Sequence, residues 1–285
     1  MSSAHVSELR IHPVKALRGS TRDRVGIEPW GLVGDRRWMV VDSAGTFVTQ
    51  RKYPVMALIA AAEGPDGLVL STGGEQLAVP LPGPDAEMLE VRVWRDTIRA
   101  ASGGPAASAW LSSVIGIECR LVYLADPRLR PVNPAYGRPG DRVNLSDGFP
   151  VLLVSLASLA DLNRRLVMPV PISRFRPNIV MQGREAWAED CWRRIRIGPV
   201  VFRVVKPCER CTVTTIDPDT GERPDRTEPL RTLARFRRDV AGHIMFGQNL
   251  VPETTGCIAT NDRIEVLEQG ASNVSFAAAG DIAAE

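Results

Sequence analysis

Lysine is nearly absent from this chain. Of its 35 basic residues only Lys15, Lys52 and Lys206 are lysines, and the rest are arginines. The 33 acidic residues bring the net charge to +2, too small an excess to bind nucleic acid without a localised basic patch. Aromatic residues are also scarce, at 6%. No apolar run reaches the roughly 18 residues that a membrane-spanning helix needs, and the longest candidate, 149–160, is broken by serines. The first ten residues hold His5, Glu8 and Arg10 but no apolar stretch of signal-peptide type. The expectation is therefore a cytoplasmic protein with neither membrane nor nucleic acid as partner. Cysteine is limited to Cys119, Cys191, Cys208, Cys211 and Cys257. In a reducing compartment disulfides are not expected, and metal or redox chemistry gains weight.

What is present fits a globular chain of 285 residues, enough for two modest domains or one large one at about 150 residues per domain. With 24 glycines and 22 prolines, turns and short strands are favoured over long helices. Buried strands are expected at 38–41 and 151–155, and a hairpin over 196–205 turning at Gly198 and Pro199. A helix is expected over 106–115, where Trp110, Leu111, Val114 and Ile115 share a face and Gly116 follows as a cap. A second should start at Ser155, and a third after Pro229. Residues 126–150 are rich in Pro, Gly, Asp and Arg and should form a long irregular connection. Residues 212–216 read as a strand, and the chain beyond Glu268 as a mobile tail. Arg22, Arg24, Arg36, Arg37, Arg193, Arg194, Arg196, Arg235, Arg237 and Arg238 read as a solvated face, with a sharper reading as a docking patch for an electron-donor protein.

The densest chemistry lies in Lys206-Pro207-Cys208-Glu209-Arg210-Cys211. Two thiols at this spacing can hold a metal, act as a dithiol couple or simply be buried. A structural zinc would need two more ligands from Cys191, Cys257, His5, His12 or His243, and no second paired motif exists. A thioredoxin-like pair would open a helix, whereas strand formers follow here. Lys206 and Arg210 place positive charge beside both thiols, which favours the thiolate that a soft metal binds. Cys211, nearer the expected strand, is the favoured ligand. In 173–180, Arg176 and Asn178 fall on one face of an extended segment and offer a guanidinium fork and an amide to a phosphate or pterin-like ring, or else form a plain surface strand. Lys15, close to Gly19, can bind phosphate, form a Schiff base with an aldehyde cofactor such as pyridoxal phosphate, or lie in an ordinary turn.

Six stretches together resemble one family: HPVKALRG (12–19), GLVGDRRWMVVD (31–42), FPVLLVSLASLADLN (149–163), RFRPNIV (174–180), KPCERCTVTTIDPDTG (206–221) and FGQNL (246–250). In this order they resemble the MOSC proteins, in the subgroup with an N-terminal MOSC domain that includes the amidoxime-reducing components and their bacterial relatives. The resemblance implies a β-rich α+β fold, a MOSC β-barrel with a smaller N-terminal domain. Residues 1–121 would form the N-terminal domain, with 1–36 contributing to the barrel; 122–268 would form the MOSC domain and 269–285 the tail. It further implies a molybdenum cofactor (Mo-molybdopterin) whose metal is ligated by Cys211. Its phosphate and pterin contacts would fall on Lys15, Arg36, Asp147, Gly148, Phe149, Arg176, Asn178, Cys208, Glu209 and Asn249. Ala16 departs from the serine of some members, and Asn249 from an aromatic residue.

The activity implied is reduction of small N-hydroxylated substrates such as amidoximes, hydroxylamines and hydroxamic acids. No cysteine lies beyond Cys257 to build an iron–sulfur domain, so electrons would come from a separate donor: a flavoprotein, or a flavodoxin-like, ferredoxin-like or cytochrome b5-like protein. Asp217, one expected strand away from Cys211, is the candidate proton donor. The competing expectations are a non-catalytic carrier of the molybdenum cofactor or of sulfur, and a structural zinc-binding interaction protein.

Overall fold

A computed structural model describes residues 3–275. Most of the regular structure is strand. The largest element is a curled, half-barrel sheet of eight strands. From edge to edge it runs Ile264–Gln269, Trp192–Ile197, Val200–Glu209, Met245–Pro252, Val151–Ser155, Ile179–Gln182, His5–Ile11 and Ser20–Arg22. Neighbours are antiparallel except Val151–Ser155 and Ile179–Gln182, which are parallel and so need a crossover. That crossover carries the helix Leu156–Asn163, started by the Ser155 hydroxyl accepting from Ser158 N–H. The strand His5–Ile11 places the beginning of the chain inside this sheet.

Val151–Ser155 is buried at every position because both its faces are covered. Val151 and Leu153 point into a core with Leu9, Ile11, Ile179, Phe202 and Leu250. Leu152 and Val154 point the other way, into a cluster with Leu159, Leu162, Phe175 and Phe246. A second sheet joins Trp38–Asp42, Cys119–Tyr123, Asp96–Ser102 and Met88–Val93. The helix Pro105–Ile115 packs beside it and ends at Gly116, whose φ of 80° is the left-handed cap the sequence signals. Leu121 lies inside the strand Cys119–Tyr123, and the chain leaves this sheet only after Tyr123. Two three-stranded sheets complete the fold, one of Gly256–Ala259, Arg24–Glu28 and Gly31–Leu32, the other of Ala60–Gly64, Gly67–Thr72 and Glu75–Pro80. No helix among the described residues is long and apolar enough to cross a membrane.

Three expectations change. Residues 212–216 form not a strand but the single 3-10 turn Thr212–Thr215. The Thr214 and Thr215 hydroxyls donate to Cys211 O and Thr212 O at 3.0 and 2.8 Å, so the threonines bond their own backbone instead of a ladder. Arg237, read as solvated, is 2% exposed and donates to both carboxylate oxygens of Asp190. Of the expected tail, 269–275 are held: Asn273 exchanges amide bonds with Gln248, and Val274 is buried. Residues 276–285, on which the rest of that expectation falls, lie outside the described residues.

Candidate functional site

A cavity of about 490 Å³ opens where the half-barrel meets the second sheet. Lys15 and Ala16 follow the first strand, and Arg36 sits in the turn before Trp38. Lys15 is 7% exposed and its ammonium lies 5.2 Å over the Phe47 ring. Burial lowers its pKa, and pairing with Asp147 offsets only part of that. Arg36 donates to Asp35 at 2.6 Å, to Asn178 Oδ1 at 3.0 Å and to Arg176 O at 3.2 Å. Asp35 is fully buried and also accepts from His12 N–H at 2.7 Å, so Arg36 is clamped from beneath.

Asp147, Gly148 and Phe149 end the long connection and line the cavity. Buried Arg130 fixes them by donating to Asn144 O, Ser146 O and Asp147 O while its Nε holds Asp96 at 2.8 Å. Asp147 accepts from Lys15 Nζ and, at 3.0 Å, from the indole N–H of Trp94. Its side chain opens to the cavity, yet lies deep within the walls. Withdrawal from water pushes its carboxyl up, and Lys15, Trp94 and Arg51 more than reverse this, holding it well below the usual carboxylate range.

The turn Ile172–Phe175 presents Arg174, and Arg176 caps it with φ 52°. Arg176 is surrounded by protein and its Nη2 has no hydrogen-bond partner. Burial, then the charge of Arg36, bring it down to about 9 against the partial support of Asp35 and Asp147. Asn178 lines the cavity too, but its amide is committed: Oδ1 accepts from Leu152 N–H and Arg36, and Nδ2 donates to Arg10 O. It positions Arg36, and its Oδ1 is fully used within the protein.

The thiols are arranged in the reverse of the sequence expectation. The strand Val200–Glu209 runs through Pro207, past two register shifts, so Cys208 sits on it and Cys211 follows its end. Cys208 Sγ accepts from Arg210 Nη1 at 2.8 Å, while Arg210 Nη2 donates to Phe175 O. Arg210 thereby ties the thiol segment to the Arg174–Arg176 segment. Cys211 is exposed to the cavity and caps the 3-10 turn. Glu209 and Asn249 line the same space, and Asn249 Nδ2 donates to Pro207 O at 3.4 Å.

All but one of the candidate residues meet here. Asp217 does not line the cavity. Its carboxylate accepts from Asp219 and Thr220 N–H and from Arg174, and although burial raises its pKa those bonds lower it. It braces a turn and is poorly suited to give up a proton. Nor do three or more His, Cys, Asp or Glu gather anywhere among the described residues to hold a metal, so the further ligands of a structural zinc are missing there. Sequence reasoning missed Phe47, Gln50, Arg51 and Trp94, which enter from the second sheet and its loops. Arg51 stacks 4.7 Å over the Trp94 ring. One backbone signal marks the site: Ala16, Arg36, Trp94 and Arg176, four of the six non-glycine residues at positive φ among the described residues, all line this cavity. Such conformations cost about 1–3 kcal/mol each and cluster where function needs them.

Comparison with known proteins gives a consistent picture. Residues 3–118 match the MOSC N-terminal beta barrel domain, and residues 140–265 match the MOSC domain. The chain is 36% identical over 282 residues to mitochondrial amidoxime-reducing component 1 of Mus musculus, spanning 93% of this chain and 82% of that protein. The Homo sapiens protein of the same name is 36% identical over 282 residues, spanning 93% and 83%. A molybdenum cofactor sulfurase of Oryza sativa subsp. japonica is 31% identical over 267 residues, spanning 87% of this chain but 32% of that longer protein.

Proposed function

This chain belongs to the MOSC family, and from that premise we propose that it is a molybdenum-cofactor-dependent reductase of N-hydroxylated compounds, supplied with electrons by a separate protein. The observation that carries the reading is the pairing, in one cavity, of an exposed thiol at Cys211 with a cationic cradle of Lys15, Arg36 and Arg176. These residues fit the group. Arg176 Nη2 is a buried donor with no partner, as a site for a phosphate oxygen requires. Ala16 and Arg36 bring their backbone close at positive φ. Cys211 offers the soft ligand that molybdenum takes.

When bound, the cofactor would supply the redox step that removes oxygen from a nitrogen-bound hydroxyl group, two electrons and two protons giving the N–H compound (amidine, amine or amide) and water. The chain's own part is binding and orientation. Lys15, Arg36 and Arg176 neutralise the phosphate end, and Cys211 anchors the metal end. Arg210, bonded to Cys208 and Phe175, keeps the two ends in register. Cys208 has its sulfur engaged by that guanidinium and is therefore a support rather than a second ligand. With Asp217 braced in its turn, protons reach substrate from water at the open mouth of the cavity.

The sulfurase relative supports a second reading, in which an exposed Cys211 carries the cofactor or a sulfur atom without turnover. The test is the molybdenum and pterin content of wild type and Cys211→Ala from a host that makes the cofactor, followed by reduction of an amidoxime with an artificial electron donor. Molybdenum lost in the variant and substrate reduced by the wild type are expected. Loading without turnover would select the cofactor carrier, and a wild type without molybdenum would overturn the reductase and the cofactor carrier, leaving only a carrier of sulfur.

A further inference from the structure

Behind the main cavity lies a smaller chamber of about 40 Å³. Arg174 and Arg176 line both spaces and form their shared wall. Arg10, His12 and Arg18 line only the chamber. Three atoms of its lining residues are buried without a hydrogen-bond partner: His12 Nδ1, Arg174 Nε and Arg176 Nη2. His12 is 4% exposed and the Arg174 side chain 9%. A folded chain leaves few such atoms, because each costs about 1–3 kcal/mol. Three on the residues around one small space point to something that answers them.

The chemistry of the three atoms defines the ligand. His12 Nε2 lies 3.3 Å from Pro177 O, which can only accept, so this nitrogen carries the ring proton. Burial, with Arg176, Arg36 and Arg10 around it, holds the imidazole well below its ordinary pKa, so the ring is neutral and Nδ1 presents a lone pair. Gly19 keeps the space beside that lone pair open: a Cβ there would stand 2.6 Å from Nδ1 and overlap Ile11 O. The lining therefore offers two cationic donors and one acceptor. Of the remaining cations, Arg10 is paired with Glu8, while Arg18 donates to Ala57 O and Pro218 O and lies 3.2 Å from Asp219.

We propose that this chamber binds a small oxyanion that carries a proton, of the hydrogen phosphate class. Its hydroxyl donates to His12 Nδ1, and its other oxygens accept from Arg174 Nε and Arg176 Nη2. Sulfate is the same shape but has no proton near pH 7, so it sets a negative oxygen against the imidazole lone pair. The size agrees. One water needs about 10–15 Å³ of such space, so the chamber has room for a single small ion. The site goes beyond the reading of the main cavity and rests chiefly on two atoms that reading does not use, His12 Nδ1 and Arg174 Nε, while Arg176 Nη2, which carries two protons, can donate into both spaces.

The experiment is calorimetric titration of the full chain with inorganic phosphate at pH 7, repeated with sulfate as competitor. Wild type should bind phosphate in preference to sulfate. Lys15→Gln, which touches only the main cavity, should keep this phosphate-selective site. His12→Phe keeps a planar ring of similar size but removes the lone pair, and should weaken phosphate at least about tenfold. Arg174→Lys removes the Nε donor while keeping a cation toward Asp217, should weaken phosphate as well, and decides the matter if the His12 variant does not fold. Phosphate binding that is absent in wild type, unchanged in the chamber variants, or displaced by sulfate on equal terms would overturn the proposal.

Discussion

Gln248 and Asn249 are neighbours on one strand and serve opposite sides of the half-barrel sheet. Behind the sheet, Gln248 is fully buried in a closed polar network. It donates to Asp190 at 2.7 Å, Arg237 holds both oxygens of Asp190 at 2.7 and 3.1 Å, and Asn273 completes the ring. In front, Asn249 faces a cavity where Arg176 keeps an unanswered donor and Cys211 an open thiol. The same residue types do different work on the two faces. Behind, the charges of Asp190 and Arg237 are answered by each other, which fixes the structure; in front, charges are held ready by clamps such as Asp35 and Asn178 for something that the chain does not itself provide.

The largest effect should come from opening the closed face. Asp190→Ala removes the carboxylate that pairs with the buried Arg237 cation and should cost about 3–5 kcal/mol, read from the urea midpoint, while a comparable loss on the cavity side is not expected. Next is Glu189, also behind the sheet, which Ser158 O–H bonds at 2.6 Å and which Asp190 and Arg237 face. Burial raises its carboxyl to about 7 from an ordinary 4.5, so the folded chain keeps a proton that the unfolded chain releases between those values. Stability is then full below pH 4.5 and falls as pH rises through 7, by about 3 kcal/mol in all. Glu189→Gln should flatten that dependence in melts taken across this range.

On the open face the sign reverses. Arg176→Gln removes an incompletely answered buried cation, and should raise the stability of the cofactor-free chain by about 1 kcal/mol while lowering the molybdenum and pterin that copurify. A destabilised variant that retained its pterin would erase the distinction between the faces. The smallest effect is expected of Ala16→Ser, which adds a hydroxyl at a φ of 67° and should move stability by less than about 0.5 kcal/mol while increasing the fraction of chains loaded.

Local signals in the sequence carried much of this architecture. Gly116 after an apolar helical face and Ser155 before another were readable because a cap is set by its immediate neighbours. The 3-10 turn at Thr212–Thr215 was not, since β-branched residues suit a strand and only the structure shows their hydroxyls turned onto the backbone. The site was legible from one side. Lys15, Arg36, Arg176 and Cys211 stand in motifs whose order can be compared, but Arg51 and Trp94 reach the cavity through pairing of a distant sheet, which no local pattern encodes. Asp217 shows the converse: nearness to Cys211 along the chain says nothing about the direction in which a carboxylate points.

The placement of His5–Ile11 has a consequence for how the molecule is made. This strand leaves the ribosome well before its partner across His5↔Gln182 and Leu9↔Ile179 is made. Val6, Leu9 and Ile11 must therefore wait, apolar side outward, until the parallel pair forms beside them. Assembly of the half-barrel is late and cooperative, and the nascent chain, more than the finished one, is where this protein is open to aggregation or to the attention of a chaperone.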